Sequence, residues 1–172
     1  METLRNSELS KQSAKLIESA KIITTNGWIK SIRLQATMFF IALSDGSDTH
    51  VVQIVGQTNE FVEVINELST GTAIQVTGII IKSLGSGQNW EMQPHTIKSY
   101  GAIKDLTTYP IAKSKLGIDF LRGLPHLRSR TNFFSSVNRI RHRMMKATHD
   151  FYDQEGFLHL DPNILTVNEC EG

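Results

Sequence analysis

A small closed β-barrel with one inserted helix, followed by a hinge and a helix-led second unit, is the fold class this sequence predicts. Three observations predict it. Short runs rich in strand formers recur through residues 21–102, separated by turn residues. A helical apolar pattern falls between the third and fourth of these runs rather than after the last. Beyond Tyr109-Pro110 the period changes, and apolar residues recur at helical spacing through residues 132–154.

The first twenty residues, METLRNSELSKQSAKLIESA, are polar, with Leu9, Ala14, Leu16, Ile17 and Ala20 scattered among them. A short helix over residues 6–20 and a frayed extension fit this pattern equally. The segment lacks the apolar centre of a signal peptide. No apolar run in the chain approaches the roughly 20 residues of a membrane helix. The single Cys170 excludes an intramolecular disulfide and fits a reducing compartment, so a cytoplasmic protein is expected.

Gly27-Trp28 opens the first barrel strand, continued by Ile29 and Ile32. Residues 38–43 are the second, the turn residues Asp45, Gly46, Ser47 and Asp48 end it, and residues 51–55 are the third. Side chains alternate across a strand, so Phe39, Ile41 and Leu43 share one face and Met38, Phe40 and Ala42 the other. The first set makes the better core, which turns Phe40 outward. An outward ring is either a platform for a nucleic-acid base or a residue covered by a helix or loop.

Thr58-Asn59 can start a helix with Phe61, Val62, Val64, Ile65 and Leu68 on its apolar side, and Thr70-Gly71 end it. Residues 72–82 form a fourth strand, SLGSGQ at 83–88 a turn, and residues 89–100 a fifth strand. In that last strand Trp90 and Met92 alternate with Glu91, Gln93 and His95, while Pro94 demands an edge position or a bulge. Three strands, a helix and two strands is the order of an OB-fold, a five-stranded Greek-key barrel that binds oligonucleotides around strands two and three. Arg33, Phe40, Gln53 and Glu91 fall on strands able to share that face. Together they offer a cation, a stacking ring, an amide for a base edge and an acceptor. Glu91 could instead simply pair with Arg33 or a nearby lysine.

Charge is unevenly distributed. Residues 109–146 carry nine Lys/Arg against Asp119 alone, whereas residues 147–172 carry six acids and no Lys/Arg. Such a basic block is either a polyanion contact, with Lys113 and Lys115 as phosphate ligands, or a solvated helix face. Short helical turns fit residues 116–121 and 124–128. The long helix at 132–154 has Thr131 as its N-cap and Gly156 as its stop, and Phe157-Leu158-His159-Leu160 then reads as a strand interrupted at Asp161-Pro162. The six His are dispersed, and no metal-ligand spacing, P-loop or dinucleotide fingerprint occurs. No catalytic or metal-binding residue is assigned within these 172 residues.

Several stretches are specific to one family. They are GWIKS, FFIALSDGS, VVQIV, SLGSGQNWEM, TYPIAKSKLGIDFLRGLPHLRSRTNFF and EGFLHLDPNILTVNECEG, spanning residues 22–172. With its SxGxGQxxE and YPxAK…FLR…HLRxRT patterns, the chain resembles asparaginyl-tRNA synthetases, class II enzymes of the aspartyl/asparaginyl/lysyl subgroup. A generic OB-fold single-strand binder is argued against by SLGSGQ and HLRSRT.

The resemblance implies an extension at 1–20, an anticodon-binding OB-fold at 21–102, a hinge at 103–131 and the start of a class II α/β catalytic domain at 132–172. It places the residues that read the central anticodon uridine at Arg33, Phe40, Gln53 and Glu91, with Phe40 stacking on the base. It gives residues 132–165 the role of motif 1, through which the enzymes form homodimers, although Asn163 stands where that motif carries a proline. Glu171 matches a residue near the amino group of the bound amino acid. The implied partner is tRNA(Asn), with neither DNA nor membrane, and the implied cofactors of the whole enzyme are ATP and Mg²⁺. Motifs 2 and 3 do not occur within residues 1–172. The chain alone is therefore expected to bind neither cofactor tightly and to be inactive, and a naturally truncated, non-catalytic tRNA-binding module is the alternative.

Overall fold

A computed structural model describes residues 2–85, 87–103, 105, 109–111, 116–165 and 167. Its strands are β1 (Glu2–Thr3), β2 (Ile23–Leu34), β3 (Met38–Ser44), β4 (Val52–Gln57), β5 (Ala73–Lys82) and β6 (Trp90–Gly101), and its helices are α1 (Asn6–Ser19), α2 (Val62–Ile65), α3 (Ile118–Arg122) and α4 (Asn132–Gln154). The strands follow the order β1-β2-β3-β4-β6-β5, and β2 also pairs with β5, which closes a five-stranded barrel from β2 through β6. This is the predicted OB-fold order.

Strand β2 makes closure possible because it belongs to both sides of the barrel. Its first half, from Ile23 to Trp28, pairs with β5. Its second half, from Trp28 to Leu34, pairs with β3. The strand turns the corner at Gly27, where a Cβ would stand 2.8 Å from the Ser44 carbonyl oxygen. A bulge between Ile29 and Ser31 follows immediately. On the opposite side β6 approaches β5 so closely at Gly78 that a Cβ there would lie 2.0 Å from the Gln93 carbonyl oxygen. The register slips at that point, and Pro94 sits opposite Gly78 in the irregularity the sequence demanded of it.

Alternation decides the core. Phe39, Ile41 and Leu43 are fully buried, as are Ile54 on β4 and Met92 on β6. Gly56 lies opposite Phe39, and a Cβ there would come within 2.6 Å of the Phe39 ring. Phe61 meets that ring edge-on, with centroids 5.6 Å apart.

Helix α1 forms, and it belongs to the barrel. Leu9 is 0% exposed and Leu16 5%, seven residues apart on one face and within the same apolar cluster as the strands. The Asn6 amide donates to Asp45 Oδ2 at 2.9 Å and the Ser7 amide to Ser47 Oγ at 3.0 Å, so the β3–β4 loop satisfies the helix's free N-terminal amides. The buried Asn6 side chain donates to the Leu43 carbonyl at 3.1 Å. Strand β1 then adds alongside the start of β2 in parallel.

Four sequence expectations are corrected. Strand β2 begins at Ile23, not at Gly27, because its first half has β5 to pair with. The inserted helix is a 3₁₀ turn at Thr58–Glu60 followed by the four-residue α2, not one helix to Leu68. β-Branched Val62, Val64 and Ile65 propagate a helix weakly, and the burial of Ile65 and Leu68 holds the segment instead. The last barrel strand begins at Trp90 and runs to Gly101. Residues 157–163 form no strand: the segment is exposed, and an extended backbone needs a neighbouring strand to take its hydrogen bonds, which none of the described residues offers.

Helix α4 matches its expected limits. The Thr131 hydroxyl accepts from the Phe134 amide at 3.4 Å, and Gly156, at φ +83°, ends the turn beyond it. Tyr109 packs against Gly71, whose φ of +93° and missing side chain leave room for the ring. Arg130 reaches the Tyr109 hydroxyl at 3.5 Å and lies 4.8 Å from the Trp28 ring centroid. Lys30 donates to Asn132, and Arg139 to the Gly46 carbonyl. These contacts fasten the start of α4 to the barrel.

Candidate nucleic-acid interface

With Phe39, Ile41, Ile54 and Met92 turned inward, their strand neighbours form an outer surface whose rows can be read from the pairing. Arg33, Phe40 and Val55 lie opposite one another on β2, β3 and β4. Ser31, Ala42 and Gln53 make the next row. β4 then runs parallel to β6, with Ile54 opposite Met92. One step to either side brings Gln53 beside Glu91 and Val55 beside Gln93. Arg33, Phe40, Gln53 and Glu91 therefore share one face. Gln93 joins them without having been singled out; its alternation with Met92 was legible, but its neighbour across the sheet was not.

Phe40 is half-buried. The Arg33 guanidinium carbon stands 4.5 Å from the ring centroid in a cation–π contact. Among the described residues Glu91 pairs with neither Arg33 nor a lysine. Its Oε2 accepts from Ser83 Oγ at 2.7 Å and from Gln88 Nε2 at 3.3 Å. The Gln53 amide has no hydrogen-bond partner among the described residues, so its donor and acceptor are both free. A flat ring, a free amide, an oriented carboxylate and a guanidinium can together stack a planar base and read its polar edge.

The basic block is more committed internally than its composition suggests. Arg122 pairs with Asp119 at 3.4 Å and Lys146 with Asp150 at 2.9 Å. Arg128 lies 5.1 Å over the Phe134 ring. Burial lowers the pKa of the Lys30 ammonium beside Asn132. Lys113, Lys115 and Glu171 lie outside the described residues. Among the described residues no group of three or more His, Cys, Asp or Glu side chains could hold a metal ion, and no helix is long and apolar enough to cross a membrane.

Comparison with known proteins gives a consistent result. Residues 23–99 match the family model for an OB-fold nucleic acid binding domain. An asparagine–tRNA ligase of Cytophaga hutchinsonii is 36% identical over 173 aligned positions, covering 100% of this chain and 37% of that protein. The Parabacteroides distasonis asparagine–tRNA ligase is 40% identical over 151 positions, covering 87% of this chain and 32% of that protein. The chain thus spans about a third of the length of these relatives. The asparaginyl-tRNA synthetase of Pyrococcus horikoshii, solved with asparaginyl-adenylate, superposes with a TM-score of 0.82 at 19% identity over 100% of this chain and 39% of that one. The Entamoeba histolytica asparaginyl-tRNA synthetase gives 0.76 at 22% identity, over 98% of this chain and 39% of that one. At such identities the structural matches establish a shared fold.

Proposed function

From the premise that this chain belongs to the asparaginyl-tRNA synthetase family, as the N-terminal part of such proteins, we propose that its barrel binds the anticodon loop of tRNA(Asn). Phe40 stacks on the central uridine, and Gln53, Arg33 and Glu91 address its polar edge. The observation that carries this reading is the outward Phe40 with three complementary polar groups on the same face of the barrel.

The whole protein is an asparagine–tRNA ligase, acting in the cytoplasm as a homodimer that uses ATP and Mg²⁺. Among the described residues no group of three or more His, Cys, Asp or Glu side chains could hold the metal ion. What the present residues contribute is selection of the tRNA.

Binding to a stem-loop with a GUU anticodon, and to versions with the middle base changed, tests the reading. Base–aromatic stacking is worth roughly 1–3 kcal/mol, so Phe40→Ala should weaken binding about five- to a hundredfold. Gln53→Ala should chiefly erode preference for the central uridine. An undiminished affinity in Phe40→Ala, alongside a stably folded Phe39→Ala, would place the core on the wrong side of β3 and refute the interface.

A further inference from the structure

The SxGxGQxxE stretch has no role in the binding described so far beyond supplying Glu91. We propose that Ser83 and Gln88 are positioning residues for base recognition, a relay that aims the Glu91 carboxylate across the barrel face. The proposal rests on the anticodon reading above and explains why its carboxylate acceptor is held in one direction.

Three hydrogen bonds define the relay, two of them converging on Glu91 Oε2. The Gly85 amide donates to Ser83 Oγ at 3.1 Å. That acceptance leaves the Ser83 hydroxyl proton directed to Glu91 Oε2 at 2.7 Å. Gln88 Nε2 donates to the same oxygen at 3.3 Å. The Ser83 amide donates to the Asn89 carbonyl at 3.2 Å and closes the turn, which keeps both donors over the start of β6. One carboxylate oxygen is therefore taken, while Oε1 has no partner among the described residues.

The direction of that free oxygen has chemical content. Glu91 stands beside Gln53 in the parallel β4–β6 register. An ionised carboxylate accepts only, whereas the Gln53 amide both donates and accepts. A base edge that presents N–H beside a carbonyl, as uracil does, meets both groups in their preferred roles. Cytosine presents an unprotonated ring nitrogen at that place, where the carboxylate finds no proton. An untethered glutamate could turn away from the mismatch; one held at Oε2 cannot, so the relay sharpens discrimination as well as affinity.

The experiment compares parent, Ser83→Ala, Gln88→Ala and Ser83→Thr chains. Two quantities are read: relaxation of the Glu91 side-chain methylenes without RNA, and the ratio of affinities for stem-loops with uridine or cytidine at the centre. The relay requires Ser83→Ala and Gln88→Ala to mobilise the Glu91 side chain and to lower the ratio roughly three- to tenfold, the worth of one oriented hydrogen bond. Affinity for the cytidine stem-loop should rise as the freed carboxylate turns away from the mismatch, while affinity for the uridine stem-loop falls and the melting temperature holds nearly constant. Ser83→Thr, which keeps the hydroxyl, should restore both readouts. Ser83→Ala should have no further effect on the ratio once Glu91→Ala is present. A parent that prefers uridine and a Ser83→Ala variant that prefers it equally would overturn the relay. A parent with no preference would overturn the anticodon reading itself, and the RNA-free relaxation keeps that failure separate from a failure of the relay.

Discussion

Two adjacent phenylalanines on β3 meet opposite fates for a reason that lies in their neighbours. Phe39 is fully buried because Gly56 opposite leaves space for its ring and Phe61 closes over it. Phe40, one residue on, faces out and takes a guanidinium as its cover. Asp48 shows how strongly a single side chain can be tuned in the same loop region. Burial alone would raise the pKa of its carboxyl, but hydrogen bonds from Ser10, from the His50 and Thr49 amides and from the His50 side chain outweigh burial and hold it at about 2, below the ordinary 3.8. A depressed carboxyl stabilises the fold above its unfolded pKa and loses that contribution as pH falls through the folded value. Asp48→Asn should therefore be less stable than the parent at neutral pH, and the gap should narrow from about pH 5 towards pH 2. Urea unfolding midpoints across that range check it; a gap independent of pH would mean the charge of Asp48 contributes nothing.

At the scale of elements, α1 is the one whose importance composition understates. Its apolar face is narrow, but Leu9 and Leu16 enter the barrel cluster, and its first amides are answered by Asp45 and Ser47. The Glu8 carboxylate also reaches back to the Arg5 amide at 2.8 Å. Leu9→Ala should accordingly cost about 2–5 kcal/mol, as deletion of a buried leucine side chain does. The exposed Lys11→Ala should stay within about 0.5 kcal/mol. Denaturant unfolding of the two variants separates an integral helix from a loose extension, for which both would match the parent.

For the whole molecule, the contrast is between a finished barrel and an unfinished helix. The barrel has a continuous buried core that includes Phe39, Ile41, Leu43, Ile54 and Met92. Along α4, Phe133 is 50% exposed, Ile140 64%, Met144 63% and Phe151 57%, and Phe157 just beyond is 63% exposed. Burying each such side chain is worth roughly 1.5–3 kcal/mol, a strong drive to associate. The 172-residue chain should show a mass that rises with concentration in sedimentation or light scattering. A chain ended at residue 104 should remain monomeric at the same concentrations. A monomeric full chain at high concentration would show that the stripe does not drive association.

Much of this architecture was legible because it follows from local periodicity. Alternation separated Phe39 from Phe40, turn residues divided the strands, and the Thr131 cap with helical spacing gave α4 its limits. The order of these elements sufficed for the barrel topology, and the family resemblance rested on short exact stretches such as SLGSGQ. The tertiary structure decided what depends on partners distant in sequence. It chose helix over extension for residues 6–19 by offering a core for Leu9 and Leu16. It shortened α2, where packing outweighed propagation, and left residues 157–163 without a strand because none of the described residues offers a ladder. It alone brought Glu91 beside Gln53, since a parallel register between β4 and β6 is set by how the barrel closes and leaves no trace in either strand's own sequence. It also turned Glu91 from a prospective ion-pair partner of Arg33 into a carboxylate held by Ser83 and Gln88. Periodicity fixes which way a side chain points; closure of the barrel fixes what it points beside.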